Sequence, residues 1–472
     1  MVDAVVVGAG PNGLAAAIEL ARNGRSVHLI EGQDSVGGGT RTAELTLPGF
    51  RHDICSAVHP LAVGSPFLSA LPLQEHGLEL IEPSVQAAHP LDDGSAAILM
   101  RSLEETADSL GADARAYRSL MRTFASHWDR LAEFVLAPLT RPPHAPLLAA
   151  RFGSRGALPA TLAARARFRT PQGRALLAGM AAHSMRPLDA PATTAFALVM
   201  LSLGHACGWP VARRGSGEIT LAMARYLESL GGTIELGRPV SALAELPDSR
   251  AVLFDVTPRQ LLEICGDQLP SRYRRALARF RYGAGVFKID YALSGPLPWK
   301  APGARAAGTV HLGGTLEEIA ASEKAVHLGE PPQRPYVLIA QQSLADPTRA
   351  PAGQHTLWAY CHVPNGSSAD MTEAIERQIE RFAPGFGDLV LARETRSPKQ
   401  LEAENPNCIG GDIGGGATSL WQTLARPALR ANPYRTPNER ILICSASTPP
   451  GGGVHGMCGF HAARSALRGP LR

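Results

Sequence analysis

Val5-Val6-Val7-Gly8-Ala9-Gly10-Pro11-Asn12-Gly13-Leu14, followed by Ser26-Val27-His28-Leu29-Ile30-Glu31, decides the fold. The valines read as a buried strand and the glycine run as a tight turn. Leu14 to Asn23 reads as an alanine-rich helix, and a second strand ends in an acid. This order is a βαβ unit with a dinucleotide fingerprint at its first turn. Gly8 permits the turn, Gly10 lets backbone approach a pyrophosphate, and Gly13 lets helix and strand pack closely. The helix N-terminus, opened by Pro11 and Asn12, offers N–H groups and partial positive charge to phosphates. Glu31 can accept hydrogen bonds from an adenosine ribose, and it would repel a 2′-phosphate.

The rest of the 472 residues fits a chain of two or three domains. The net charge of +4 gives no argument for nucleic acid, although 42 of the 46 basic residues are arginines. Seven scattered cysteines contain no CxxC, which argues against a zinc knuckle and fits a reducing, cytoplasmic setting. No HExxH or GxSxG occurs, so no metal site and no nucleophile elbow is expected. The N-terminus runs straight into a strand, and no apolar run reaches membrane-spanning length.

Further along, Gly37-Gly38-Gly39-Thr40-Arg41 forms a second glycine loop, and Ser65 to Met200 is helical in character. Between Glu133 and Asp189 no acid occurs, while arginines alternate with Leu147, Leu158, Leu162 and Phe168. That composition allows peripheral contact of residues 134–188 with an anionic membrane, against the plainer reading of a solvated lid. The α/β pattern returns at Ile219 to Leu230, Thr233 to Leu236 and Ala251 to Val256. Strands are then expected at Val286–Leu293, Gly308–Leu312, Tyr336–Gln342 and Thr356–Val363, and a helix at Met371–Phe382. A last buried strand, Arg440–Cys444, precedes Pro449-Pro450-Gly451-Gly452-Gly453-Val454 and a terminal helix. The fold class is therefore α/β. A Rossmann-like FAD-type domain is expected from residues 1–70, 210–275 and 400–472. A mixed-sheet substrate domain is expected from 71–209 and 276–399, with a helical lid around 100–205.

Several runs together resemble the flavin-dependent superfamily of phytoene desaturases, carotenoid isomerases and amine oxidases, over nearly the whole chain. They are Pro48-Gly49-Phe50-Arg51-His52-Asp53, His59-Pro60, Gly208-Trp209-Pro210, Val286-Phe287-Lys288-Ile289-Asp290, Gly410-Gly411-Asp412-Ile413 and Pro433-Tyr434-Arg435-Thr436-Pro437. The resemblance implies noncovalent FAD. Gly8, Gly10 and Gly13 would face its pyrophosphate, Glu31 the ribose, Gly38 and Arg41 the pyrophosphate and ribityl chain, and Val240 the adenine. Gly452, Gly453 and Val454 would meet the pyrimidine end, where a helix N-terminus stabilises charge left by hydride uptake. Gly39, Thr40, Thr257 and Ser447 complete the expected cofactor contacts. Gly39 stands where relatives often have arginine.

The chemistry has few candidates. His59 could be a base or a polar anchor near the flavin. Lys288 and Asp290, two apart on a strand, share a face that is either catalytic or solvent-exposed. Asp412 sits among glycines that invite close approach. Trp358, Tyr360 and His362 share one strand face and, with His455, could line a substrate pocket. The activity implied is dehydrogenation of a small hydrophobic, polyene- or terpenoid-like substrate. Amine oxidation, or oxidative tailoring of a secondary metabolite, is the alternative. A flavin-free lipid-binding escort protein is the alternative of another class.

Overall fold

The computed structural model describes residues 2–472. Two sheets organise it. The first is parallel, with strands in the order Ile441–Ile443, Ser249–Phe254, Val2–Val7, Val27–Ile30, Thr233–Glu235. Its strands are drawn from the N-terminus, the middle and the C-terminus of the chain. Ala4, Val5 and Val6 are fully buried, as expected for strands covered on both faces. Helices Pro11–Arg22, Gly217–Ser229 and Met457–Leu467 cover one face. The core formed with helices Pro258–Cys265 and Ser271–Ala278 covers the other.

The second sheet is mixed, in the order Val390–Arg396, Gly285–Leu293, His355–Val363, Val337–Ala340, Ala307–Leu312, Val85–Pro90, Ala96–Leu99. Along Gly285–Leu293, Phe287, Ile289, Tyr291 and Leu293 enter an apolar core with Leu297, Trp299 and Phe386. Lys288 and Asp290 alternate with them and point to the opposite face, where strand Arg51–Asp53 packs on His355–Val363. Of the seven helices between Leu103 and Ala206 that form the lid, Pro171–Ala182 packs on Val85–Pro90 and Ala96–Leu99 at the other end of the sheet.

Two sequence expectations are corrected. Ser65–Met200 is not uniformly helical, since Val85–Pro90 and Ala96–Leu99 are strands. Their alanines favour helix in isolation, but parallel pairing of Val85, Ala87 and Ala88 with Ala307, Thr309 and Val310 decides otherwise. The strand expected over Tyr336–Gln342 is confined to Val337–Ala340, and the chain turns into a short helix at Gln342–Ala345. No helix among the described residues is long and apolar enough to cross a membrane.

Candidate active site

Two glycine loops from opposite ends of the chain meet. A Cβ on Gly459 would lie 1.8 Å from the Asn12 carbonyl oxygen, and one on Gly456 2.9 Å from the Ala15 Cβ. Helices Pro11–Arg22 and Met457–Leu467 therefore touch backbone to backbone, which only glycine allows. A Cβ on Gly13 would overlap the Gly8 carbonyl oxygen at 1.9 Å, so the third glycine of the fingerprint serves helix–strand contact. Gly38 stacks on Gly10, where a Cβ would come within 3.0 Å of the Gly10 Cα.

The first loop carries polar groups suited to a dinucleotide. Asn12 is buried, and its side-chain oxygen has no partner. Glu31 accepts hydrogen bonds from the Ala9 amide at 2.6 Å and the Gln33 amide at 3.0 Å, which fixes it at the strand end. Arg41 donates to the Gly38 and Glu404 carbonyls at 3.2 and 2.8 Å. Thr40 Oγ1 donates to the Gly37 carbonyl at 2.8 Å, and a Cβ on Gly39 would lie 3.9 Å from the Cys55 side chain. Thr257 N-caps helix Pro258–Cys265 in a capping box with Gln260. Val240 packs against the apolar core beneath that helix, and its neighbour Pro239 meets Gly32.

Asp255 escapes sequence reading. It directly follows strand Ser249–Phe254, and its Oδ2 accepts from the Gly13 amide at 2.8 Å. Burial, helped by the Glu31 charge, pushes its pKa up to about 7 against that hydrogen bond. One first-turn N–H of helix Pro11–Arg22 is thus already occupied by a carboxyl group. The only sequence signal is an acid closing an otherwise apolar strand.

The C-terminal loop is tightly bonded within itself. The helix begins at Met457, beyond Gly452, Gly453 and Val454. His455, one residue before the N-cap Gly456, bonds its first amide: Nδ1 accepts from the Met457 amide at 3.0 Å, so the proton sits on Nε2, 3.2 Å from the Gly451 carbonyl. Burial holds the His455 pKa down to about 4. Ser447 Oγ donates to the Gly415 carbonyl at 2.9 Å. Arg426, also buried, donates to the carbonyls of Gly415 and Ala446 at 3.0 and 2.9 Å. Asp412 staples two turns by accepting from the Gly283 and Gly414 amides, both at 2.7 Å.

The mixed sheet brings the remaining candidates together. Lys288 pairs across the strands with Tyr360, Asp290 with Trp358, and Val286 with His362, so all three aromatic positions share the face of Lys288 and Asp290. Lys288 is 2% and Asp290 0% exposed, which excludes a solvent-facing strand. Their side chains form an ion pair, and the Lys288 ammonium lies 5.7 Å from the Trp358 ring centre. Burial outweighs their mutual attraction: it pushes Asp290 up to about 6 and Lys288 below its usual range. Trp358 Nε1, His362 Nε2, Thr356 Oγ1 and Thr309 Oγ1 on this sheet are buried without partners. His362 Nδ1 meets Glu323 at 2.8 Å. Beyond it, His311 contacts His183, Trp209 and Tyr336 edge-on or tilted. Burial pushes the pKa of His183 down to about 3 and that of His311 well below the usual range.

His59 belongs to a network behind this face. The Ser216 hydroxyl donates to the Ser56 carbonyl at 2.6 Å, so it accepts from His59 Nε2 at 2.8 Å. His59 is then the Nε2–H tautomer, its Nδ1 has no partner, and burial lowers its pKa to about 4. The Ser216 amide donates to Asp53 at 2.7 Å. Burial would raise the Asp53 pKa, but Arg349 at 2.9 Å and the Ser216 amide hold it below the usual carboxylate range. Arg349 also bonds Asp346 at 3.0 Å. His52 Nδ1 is 3.7 Å from Asp290, and burial and the Lys288 charge push its pKa down to about 3. Arg349, Asp346 and Glu323 carry no local motif, since only the tertiary fold assembles them, and His52 stands in the run Pro48–Asp53 without a role of its own there.

Comparison with known proteins agrees with this architecture. Residues 6–66 match the model of the NAD(P)-binding Rossmann-like domain. The chain is 28% identical to pyridine nucleotide-disulfide oxidoreductase domain-containing protein 2 of Mus musculus, over 99% of this chain and 93% of that protein. It is 25% identical to hydroxyneurosporene desaturase of Cereibacter sphaeroides, over 98% and 97%. Among solved structures, an oxidoreductase from Methanosarcina mazei superposes with a TM-score of 0.67 at 15% identity, over 99% of this chain and 100% of that one. Putrescine oxidase bound to putrescine superposes with a TM-score of 0.61 at 18% identity, over 99% and 97%. The fold is thus shared with the solved Methanosarcina oxidoreductase and putrescine oxidase, and its N-terminal part matches a Rossmann-like domain model.

Proposed function

We propose that the protein is an FAD-dependent oxidoreductase. FAD would be held noncovalently between the Gly8–Gly13 and Gly451–Gly456 loops, and the substrate would lie against the Lys288 face of the mixed sheet. The convergence of helices Pro11–Arg22 and Met457–Leu467 carries this reading. It brings the two glycine loops toward one another, with the unpartnered Asn12 side chain in the first of them. When bound, FAD supplies a hydride acceptor.

The chain's own residues do the rest. Gly10, Asn12 and Gly38 would approach the phosphates, Glu31 would receive the ribose hydroxyls, and Arg41 would add positive charge. The Lys288–Asp290 pair holds a proton in a dry setting: Asp290 is poised near 6, and burial makes Lys288 release its proton more readily than a surface lysine. His59, neutral and fixed by Ser216, offers an unprotonated Nδ1.

The reaction is dehydrogenation of a largely hydrophobic organic substrate. Desaturation of a polyene- or terpenoid-like compound matches the activity named for the Cereibacter relative. The second reading, oxidation at a carbon beside an amine or another hydrogen-bonding group, is favoured by the unpartnered atoms on Trp358, His362, Thr356 and Thr309. A pure hydrocarbon would leave those groups unsatisfied. Anaerobic reduction of the bound flavin by a panel of polyenes, terpenoid alcohols and amines tests both readings. Bleaching by one class assigns the substrate. A flavin that no member reduces would count against both readings.

A further inference from the structure

Helix Leu420–Ala425 has no buried residue. Leu420, Trp421 and Leu424 are 49%, 69% and 50% exposed, and Leu429 just beyond is 70% exposed. Trp421 is the one exposed tryptophan of the five, the others being at most 5% exposed. A bare apolar cluster with tryptophan at its centre is costly in water and asks for an occupant.

The neighbouring segment identifies that occupant. Gln422 ties the helix to Arg281 through both its amide atoms: Oε1 accepts from the Arg281 amide at 3.0 Å, and Nε2 donates to the Arg281 carbonyl at 2.8 Å. The Arg430 guanidinium lies 5.6 Å from the Tyr273 ring centre. The apolar cluster is therefore set against the stretch containing Arg272, Arg274, Arg275, Arg279 and Arg281, all exposed. No acid occurs between Asp267 and Asp290, or between Asp412 and Glu439. The exposed carboxylate of Asp267 marks the rim. Leucine and tryptophan ringed by arginine is the pattern that inserts into the headgroup layer of an anionic bilayer. A second copy of the chain fits poorly, because a two-fold contact would set arginines against arginines.

We propose that this face, Leu420–Leu429 with Arg272–Arg281, docks the protein onto a membrane of anionic phospholipid. It differs from residues 134–188. There Leu147, Leu158 and Leu162 are exposed, but Phe152 and Phe168 are buried, Arg155 bonds the Leu120 carbonyl and stacks on Phe124, and Arg165 pairs with Glu317. The docking face also adjoins the active site. The chain runs from Gly414, against which Gly452 packs, through Thr418, which bonds the Ser184 carbonyl of the lid at 2.8 Å, to Leu420. The proposal does not depend on the redox reading, because docking needs no flavin.

The test is sedimentation of the purified protein with vesicles of neutral phosphatidylcholine, or with about one-third phosphatidylglycerol added. Tryptophan emission is followed with brominated acyl chains as quencher. The expected result is binding to the anionic vesicles that weakens with salt, with quenching that Trp421→Phe removes. Replacing Arg272, Arg274 and Arg275 together by Gln is expected to weaken binding roughly a hundredfold. Three results would overturn the proposal: equal or absent binding to both vesicles; binding abolished by Leu147→Ser but not by the arginine variant; or a solution dimer, indifferent to vesicles, that Trp421→Ser dissociates.

Discussion

The Asp255 carboxyl accepts a hydrogen bond from the Gly13 amide at 2.8 Å, across 242 positions of sequence. This places an acid against the turn whose amides and helix dipole would otherwise face only phosphate. The acid stays protonated up to about pH 7, so below that it would add no negative charge beside a bound phosphate.

Its raised pKa has a definite sign. Between the unfolded value of 3.8 and about 7 the folded state holds a proton that the unfolded state has lost, so this group's contribution to stability falls as pH rises. Asp255→Asn keeps an oxygen for Gly13 and removes the titration. The variant is expected to gain stability over wild type, on the order of 3–4 kcal/mol by pH 8 and near zero at pH 4. Its FAD dissociation constant should stay flat through pH 7 where that of the wild type rises. Thermal unfolding and flavin titration at pH 5 and 8 check both.

Gly459→Ala would drive a methyl group into the Asn12 backbone, with no flexible side chain to yield. The two helices would have to part, at a cost of about 3 kcal/mol. Denaturant unfolding should show that loss together with weakened flavin retention, because the same helices set the spacing of the two loops.

Arg349 is fully buried between Asp53 and Asp346. Removing one partner of a buried network strands the charges left behind, so Arg349→Met should destabilise the protein by about 3–5 kcal/mol. Asp53 would also lose its hold on Ser216 and thereby on His59. Arg349→Lys, with no fork to bridge two carboxylates, should recover only part of the loss. Urea midpoints of the two variants decide this.

Much of the nucleotide module was legible, because strand, glycine turn, helix and terminal acid are contiguous and each has a local cause. The shared face of Lys288 and Asp290 with Trp358, Tyr360 and His362 was half legible. Period-two alternation set each strand's faces, but only pairing of Gly285–Leu293 with His355–Val363 put them on the same side. Asp255, Arg349, Glu323 and His311 were not legible. Their roles arise from contacts between distant segments, and an isolated acid or histidine carries no periodicity. Val85–Pro90 misled for a related reason: alanine's local preference for helix yields to a parallel partner more than 200 residues away.

Lys288→Met should lower turnover about 10²- to 10⁴-fold while leaving flavin content unchanged, since it removes the proton-holding group and no cofactor contact. Asp290→Asn should abolish the limb of the rate–pH profile centred near 6. Steady-state rates from pH 5 to 9 on flavin-loaded variants separate the two roles.

Flavin occupancy of the purified chain is the most direct measurement of the central claim. The account predicts a yellow protein absorbing near about 450 nm. It predicts FAD released intact by denaturation at one per chain, re-bound by the stripped protein, and lost in Gly10→Val. A colourless protein that takes up no added FAD, with its helices otherwise intact, would contradict it.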